Sequence, residues 1–130
     1  MQLARSLALM AAAIGVALAA PVLAHPQLVS SSPVNAASAQ GVKTVTLTFG
    51  EAFMPQMSGL EIVMTGMPGM AAGEHPPMKM TGVKVSASPD RKSLIATLVR
   101  PLPMGTYDVS WHVMGADSHH ATGKISFSAR

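Results

Sequence analysis

TYDVSWHVM, residues 106–114, alternates strictly: Tyr107, Val109, Trp111 and Val113 fall on one parity, Asp108, Ser110 and His112 on the other. Alternation of period two belongs to a strand with one face on a core and one in water. Four large side chains on the inward parity make this strand the expected spine of the core. Downstream, Gly115-Ala116-Asp117-Ser118-His119-His120 reads as a turn, and Ala121 to Ser128 closes the chain with Ile125 and Phe127 two apart. Upstream, Arg100-Pro101-Leu102-Pro103-Met104-Gly105 is a loop, because its two prolines lack the N–H that a sheet ladder needs.

The same logic extends toward the N-terminus. Gly41 to Phe49 places Val45, Leu47 and Phe49 on one parity, with Thr44, Thr46 and Thr48 between them. Leu60 to Thr65 is another short strand, Thr81 to Ala87 alternates through Val83 and Val85, and Ser93 to Val99 pairs with it across the Ser88-Pro89-Asp90-Arg91 turn. Gln27 to Ser31 is short and mildly alternating, and Ser32-Pro33-Val34-Asn35 turns the chain. Seven or so short strands with no helical period define an all-β protein, a sandwich or barrel, with no internal repeat and no second domain.

Residues 1–24 read separately. Arg5 and the amino terminus form a positive region, Leu7 to Leu18 an apolar one, and Val22-Leu23-Ala24 a small-residue cleavage box, which together describe a secretory signal peptide. A retained membrane anchor would need about 20 apolar residues, and Pro21 before the small-residue box argues against it. The expected mature domain is residues 25–130, exported and without a further span. It holds no cysteine, so no disulfide supports the core and no thiolate is available to a metal. Beyond residue 24, eight Lys and Arg stand singly against six Asp and Glu, without the clustered basic patch of a nucleic-acid binder.

Donor atoms are distributed unevenly. Of the nine methionines beyond residue 24, seven lie between Met54 and Met80, together with His75. Thioethers are soft donors that select Cu(I) over the divalent ions. Methionine is also plastic core filler, but Gly66, Pro68, Gly69, Gly73, Pro76 and Pro77 interrupt any regular element, so a loop is expected. The alternative is a Met-rich protein-binding surface. Signal cleavage leaves His25 first, offering an amine and an imidazole nitrogen in a chelate that suits tetragonal Cu(II), while Pro26 has no amide proton to lose. Asp117 and His119 are two apart, and in an extended backbone would share a face. His120 would then point away and His112 outward, as accessory ligands or solvated groups. A zinc site from His25, Asp117 and His119 is chemically open but leaves the methionines unexplained. No phosphate loop or nucleophile elbow is present.

HPQLVSSSPVNAA at residue 25, MTGMPGM followed by HPPMKM, PLPMGTYDVSW, and VMGADSHHATGKISF together resemble the CopC/PcoC family of small periplasmic copper-resistance proteins. The resemblance implies a cupredoxin-like Greek-key β-barrel with two separated copper sites. It places Cu(II) on His25, Asp117 and His119, and Cu(I) on Met64, Met67, Met70 and Met78 with His75. Ala71-Ala72-Gly73-Glu74 lengthens the spacing between Met70 and His75, and Met54, Met57, Met80 and His120 add donors. A periplasmic copper carrier or buffer follows as the expected function, not an enzyme. The implied partner is an inner-membrane copper transporter of the CopD type or another periplasmic copper protein. The rivals are an oxidative copper enzyme using the N-terminal histidine chelate and a metal-free Met-rich interaction module.

Overall fold

The computed structural model describes residues 26–70, 73–74 and 76–130. The signal-peptide reading therefore lies outside the described residues. Within them are nine strands: β1 Leu28–Ser32, β2 Ser38–Ala39, β3 Thr44–Phe49, β4 Gly59–Gly66, β5 Met78–Lys79, β6 Val83–Ala87, β7 Ser93–Leu98, β8 Gly105–Met114 and β9 His120–Ala129, with one 3-10 turn at Pro55–Met57. Seven match the strands expected from alternation. The other two, β2 and β5, are two residues long, too short to carry a period, and exist only because a neighbour supplies the ladder.

Two sheets form, ordered β1-β3-β7-β6 and β2-β9-β8-β4-β5. All pairings are antiparallel except β2 against β9, where Ser38 lies opposite Ser128. The chain crosses between sheets after β1, β2, β3, β5 and β7, which is the Greek-key sandwich the sequence resemblance implied.

The core lies between the sheets. From β8, Tyr107, Val109 and Val113 are fully buried, and they meet Val45, Leu47 and Phe49 of β3 and Leu94 and Ala96 of β7. Ile125 and Phe127 extend the same face on β9, with Phe127 stacked on Tyr107 at 5.8 Å. Each such aliphatic or aromatic side chain contributes about 1.5–3 kcal/mol on burial, so this packing holds the domain together without a disulfide. No polar or charged residue is buried among the described residues.

Alternation fails as a guide at the margins. Val85 shares Val83's parity, yet Val83 and Ala87 of this edge strand pack on the core while Val85 between them is exposed. Trp111 keeps its inward parity but is only half-buried. It sits edge-on to Phe49 at 6.1 Å and lies over Gly123, its cross-strand partner.

The β8–β9 hairpin sets the two ends of the sandwich. Gly105 pairs with Ala129 at one end and Met114 with His120 at the other. At about 3.4 Å per residue, the ten residues of β8 separate those ends by roughly 30 Å. The β4–β5 and β7–β8 loops converge at the Gly105 end; the β3–β4 segment, the β8–β9 turn and the start of β1 converge at the Met114 end.

Candidate metal centres

At the Met114 end the β8–β9 turn brings Asp117 and His119 together. The backbone turns there, as the sequence suggests, so the extended geometry in which the two would share a face does not apply. Ser118 has φ 68°, its N–H bonds Gly115 O, and Gly115 N–H bonds His119 O at 3.0 Å, closing a tight turn. Asp117 folds over this turn: Oδ1 accepts the His119 backbone N–H at 3.2 Å and Oδ2 lies 2.8 Å from His119 Nδ1. The pairing was legible, but turn closure causes it rather than strand parity.

Partial desolvation acts to raise the Asp117 pKa. The hydrogen bonds from the His119 ring and backbone and the imidazole's charge outweigh it and hold the carboxyl below its ordinary value. With Nδ1–H donated to the carboxylate, the neutral imidazole keeps its lone pair on Nε2. This is the arrangement in which a carboxylate fixes tautomer and ring direction for a metal-binding histidine. Both groups are accessible, the His119 side chain being 65% exposed.

One carboxylate and one imidazole are too few. Among the described residues no three His, Asp or Glu side chains converge, so a nitrogen–oxygen site at this end requires a donor from elsewhere. His25 falls outside the described residues. Its neighbour Pro26 lies at this end, because Leu28 pairs with Phe49 and Gly50 N–H bonds Gln27 O. Pro26, Leu28, Trp111 and His120 line one recess of about 300 Å³. His120, expected to be accessory or merely solvated, opens the β9 strand and faces the chain's N-terminal segment.

The methionines do not form one group. β4 runs through the Met54 to Met80 stretch and divides it. Met54 and Met57 stay at the Met114 end, tied there by Met54 N–H to Met114 O at 2.8 Å and by Met114 N–H to Ser58 Oγ at 3.1 Å. Met67 and Met70 lie at the opposite end. A bulge between Met64 and Gly66 re-aims the chain out of the ladder, and a turn with Gly69 at φ 79° bonds Met70 N–H to Met67 O at 3.0 Å.

Burial distinguishes these sulfurs further. Met67, Met70 and Met78 are exposed, as a loop reading requires. Met64, by contrast, is 5% exposed and part of the core, because it sits on the inward parity of β4 with Ile62. Met78 of β5 lies directly opposite it, and opposed residues share a sheet face. Met80 is half-buried against the core, its N–H bonded to Ile62 O. His75 lies outside the described residues.

Sequence reading passed over Met104. It is 60% exposed and lines a recess of about 340 Å³ with Met67, Met70 and Gly66. The signal was available, since Pro101-Leu102-Pro103-Met104-Gly105 shows the same interleaving of proline and glycine with sulfur.

The chain is thus a small two-sheet β-sandwich with an imidazole–carboxylate turn at one end and exposed thioethers at the other. Residues 28–130 match the CopC domain, and the chain belongs to the CopC family. It is 47% identical over 111 residues to copper resistance protein C of Xanthomonas campestris pv. juglandis, with 85% of this chain and 84% of that one covered. The corresponding figures for copper resistance protein C of Pseudomonas syringae pv. tomato are 38% over 118 residues, 91% and 90%. Among solved structures it is similar to PcoC, a methionine-rich copper resistance protein from Escherichia coli, with a TM-score of 0.73 and 34% identity, covering 82% of this chain and all of that one.

Proposed function

We propose that this protein is a periplasmic copper carrier or buffer acting in copper resistance, without catalysis, and that it holds copper at two ends according to oxidation state. Cu(II) is taken by His25, through its amine and imidazole, with Asp117 and His119. Cu(I) is taken by Met67, Met70 and Met78 with His75, and by Met64 from below. Copper is the cargo. The observation that carries this reading is the segregation of donors along the β8–β9 hairpin, nitrogen and oxygen at the Met114 end and exposed thioethers at the Gly105 end. Tetragonal nitrogen–oxygen sets suit Cu(II), and thioethers suit Cu(I).

A separation of roughly 30 Å has a mechanistic consequence. Copper cannot pass from one centre to the other within a molecule, so each end exchanges with an external partner. A copper transporter of the CopD type in the inner membrane, or another periplasmic copper protein, is the partner proposed for that exchange.

Titration of the mature protein with Cu(II), and separately with Cu(I) under a reductant, tests the reading. His25→Ala should lose Cu(II) alone, and Met67→Ala/Met70→Ala should lose Cu(I) alone. Failure of either ion to bind, or loss of both through one variant, would overturn the two-centre assignment.

A further inference from the structure

We infer that Met104 is a ligand of the thioether centre, so that Cu(I) bridges two loops, one carrying Met67 and Met70 and the other carrying Met104. The inference rests on the Cu(I) reading of this end and adds a residue from a different part of the chain.

The β7–β8 loop is held rigidly on both sides of Met104. Leu102 is buried, and its N–H bonds Val42 O at 2.9 Å. The Pro103 carbonyl accepts the Tyr107 hydroxyl at 2.6 Å. On the other side Gly105 packs against the Gly66 carbonyl oxygen so closely that a Cβ at 105 would collide with it. The backbone either side of Met104 is therefore fixed while its side chain stands 60% exposed. A core-filling role is excluded by that exposure.

The same glycine contact brings the loop to the sulfurs. Gly105 lies beside Gly66, and Met67 follows directly, so Met104 and Met67 flank one junction. Met67, Met70 and Met104 open onto a single recess. Beneath it, the Met64 ε-methyl reaches 3.4 Å from the position a Gly105 Cβ would occupy. Methionine has three rotatable bonds and a polarisable sulfur, so four thioethers can close on one soft ion here from two loops and a strand. The ion would clamp the β4–β5 loop to the β7–β8 loop.

The test uses the full chain. Cu(I) affinity is measured by competition with a chromogenic Cu(I) chelator under a reductant, for the wild type, Met104→Leu, and Met67→Leu/Met70→Leu. In parallel, Ag(I) is added as a redox-inert soft ion to protein labelled with 13C at the methionine methyls. Met104→Leu, a volume-conserving change at an exposed site, should lower Cu(I) affinity about tenfold, and the Met104 methyl resonance should move together with those of Met67 and Met70. A Met104 methyl unmoved by Ag(I), or wild-type Cu(I) affinity in Met104→Leu alongside loss in Met67→Leu/Met70→Leu, overturns the inference and leaves the thioether centre standing. Undiminished affinity in Met67→Leu/Met70→Leu overturns both.

Discussion

His119 Nδ1 stands 2.8 Å from Asp117 Oδ2 across a turn that closes only because Ser118 adopts φ 68°. The carboxylate thereby sets the imidazole's direction before any metal arrives, and it does so at an exposed position where ring rotation would otherwise be free. On the proposed Cu(II) set, Asp117→Asn removes both a ligand and the carboxylate that holds His119, so Cu(II) affinity should fall by at least the roughly 10- to 100-fold that losing an orienting carboxylate alone costs. Cu(I) affinity should not change. Competition titrations with each ion separately check both halves, and an equal fall for the two ions would show that the substitution disturbs the fold instead.

Tyr107 is the chain's single tyrosine, so phenolate absorbance reports on it alone. Burial raises its pKa from 10.0 to about 12. The neutral phenol is the form the folded state favours. Stability from this group is therefore complete below pH 10 and is lost as pH rises from 10 toward about 12. An alkaline titration should show delayed phenolate formation that coincides with loss of the folded signal. Ionisation at the ordinary pH with the fold intact would contradict the burial. Tyr107→Phe, which removes the hydroxyl held by the Pro103 carbonyl, should cost about 0.5–1.5 kcal/mol.

Trp111, the only tryptophan, lies where a side chain on Gly123 would have to go. Gly123→Ala would drive a methyl into the indole and displace it from its edge-on contact with Phe49. Overpacking of this kind costs about 1–3 kcal/mol. Denaturant unfolding should show the loss, and Trp111 emission should shift to the red as the ring moves into water. Wild-type stability and emission together would mean that the indole does not occupy that position.

Met54 and Met57 fall in the methionine-dense stretch of sequence yet are tied to the far end of the sandwich. Met54→Leu/Met57→Leu should leave Cu(I) affinity at the Met67–Met70 end within about twofold of the wild type, as expected for sites with no shared partners. A loss comparable to that of Met67→Leu/Met70→Leu would mean that the thioethers act as one group across the sandwich.

Residues 106–114 and 44–49 could be read as strands because alternation is a local property: each large apolar side chain is paired with a polar neighbour, and only a half-buried strand satisfies both. Turns at Ser88-Pro89-Asp90-Arg91 and around Asp117 were equally local, since proline, aspartate and serine set backbone angles within a few residues. The chemical character of the donors was written in composition, with sulfur, imidazole and carboxylate present and thiolate absent. What the chain alone left undecided was which donors meet. β4 carries the sequence the length of the sandwich, so Met57 and Met67, ten positions apart, end at opposite poles, while Met67 and Met104 line one recess. The buried position of Met64 and the place of Met104 at that recess likewise come from the packing of β4 against β8 and the fit of Gly105 to the Gly66 carbonyl. Those are contacts between segments distant in sequence, and no local pattern encodes them.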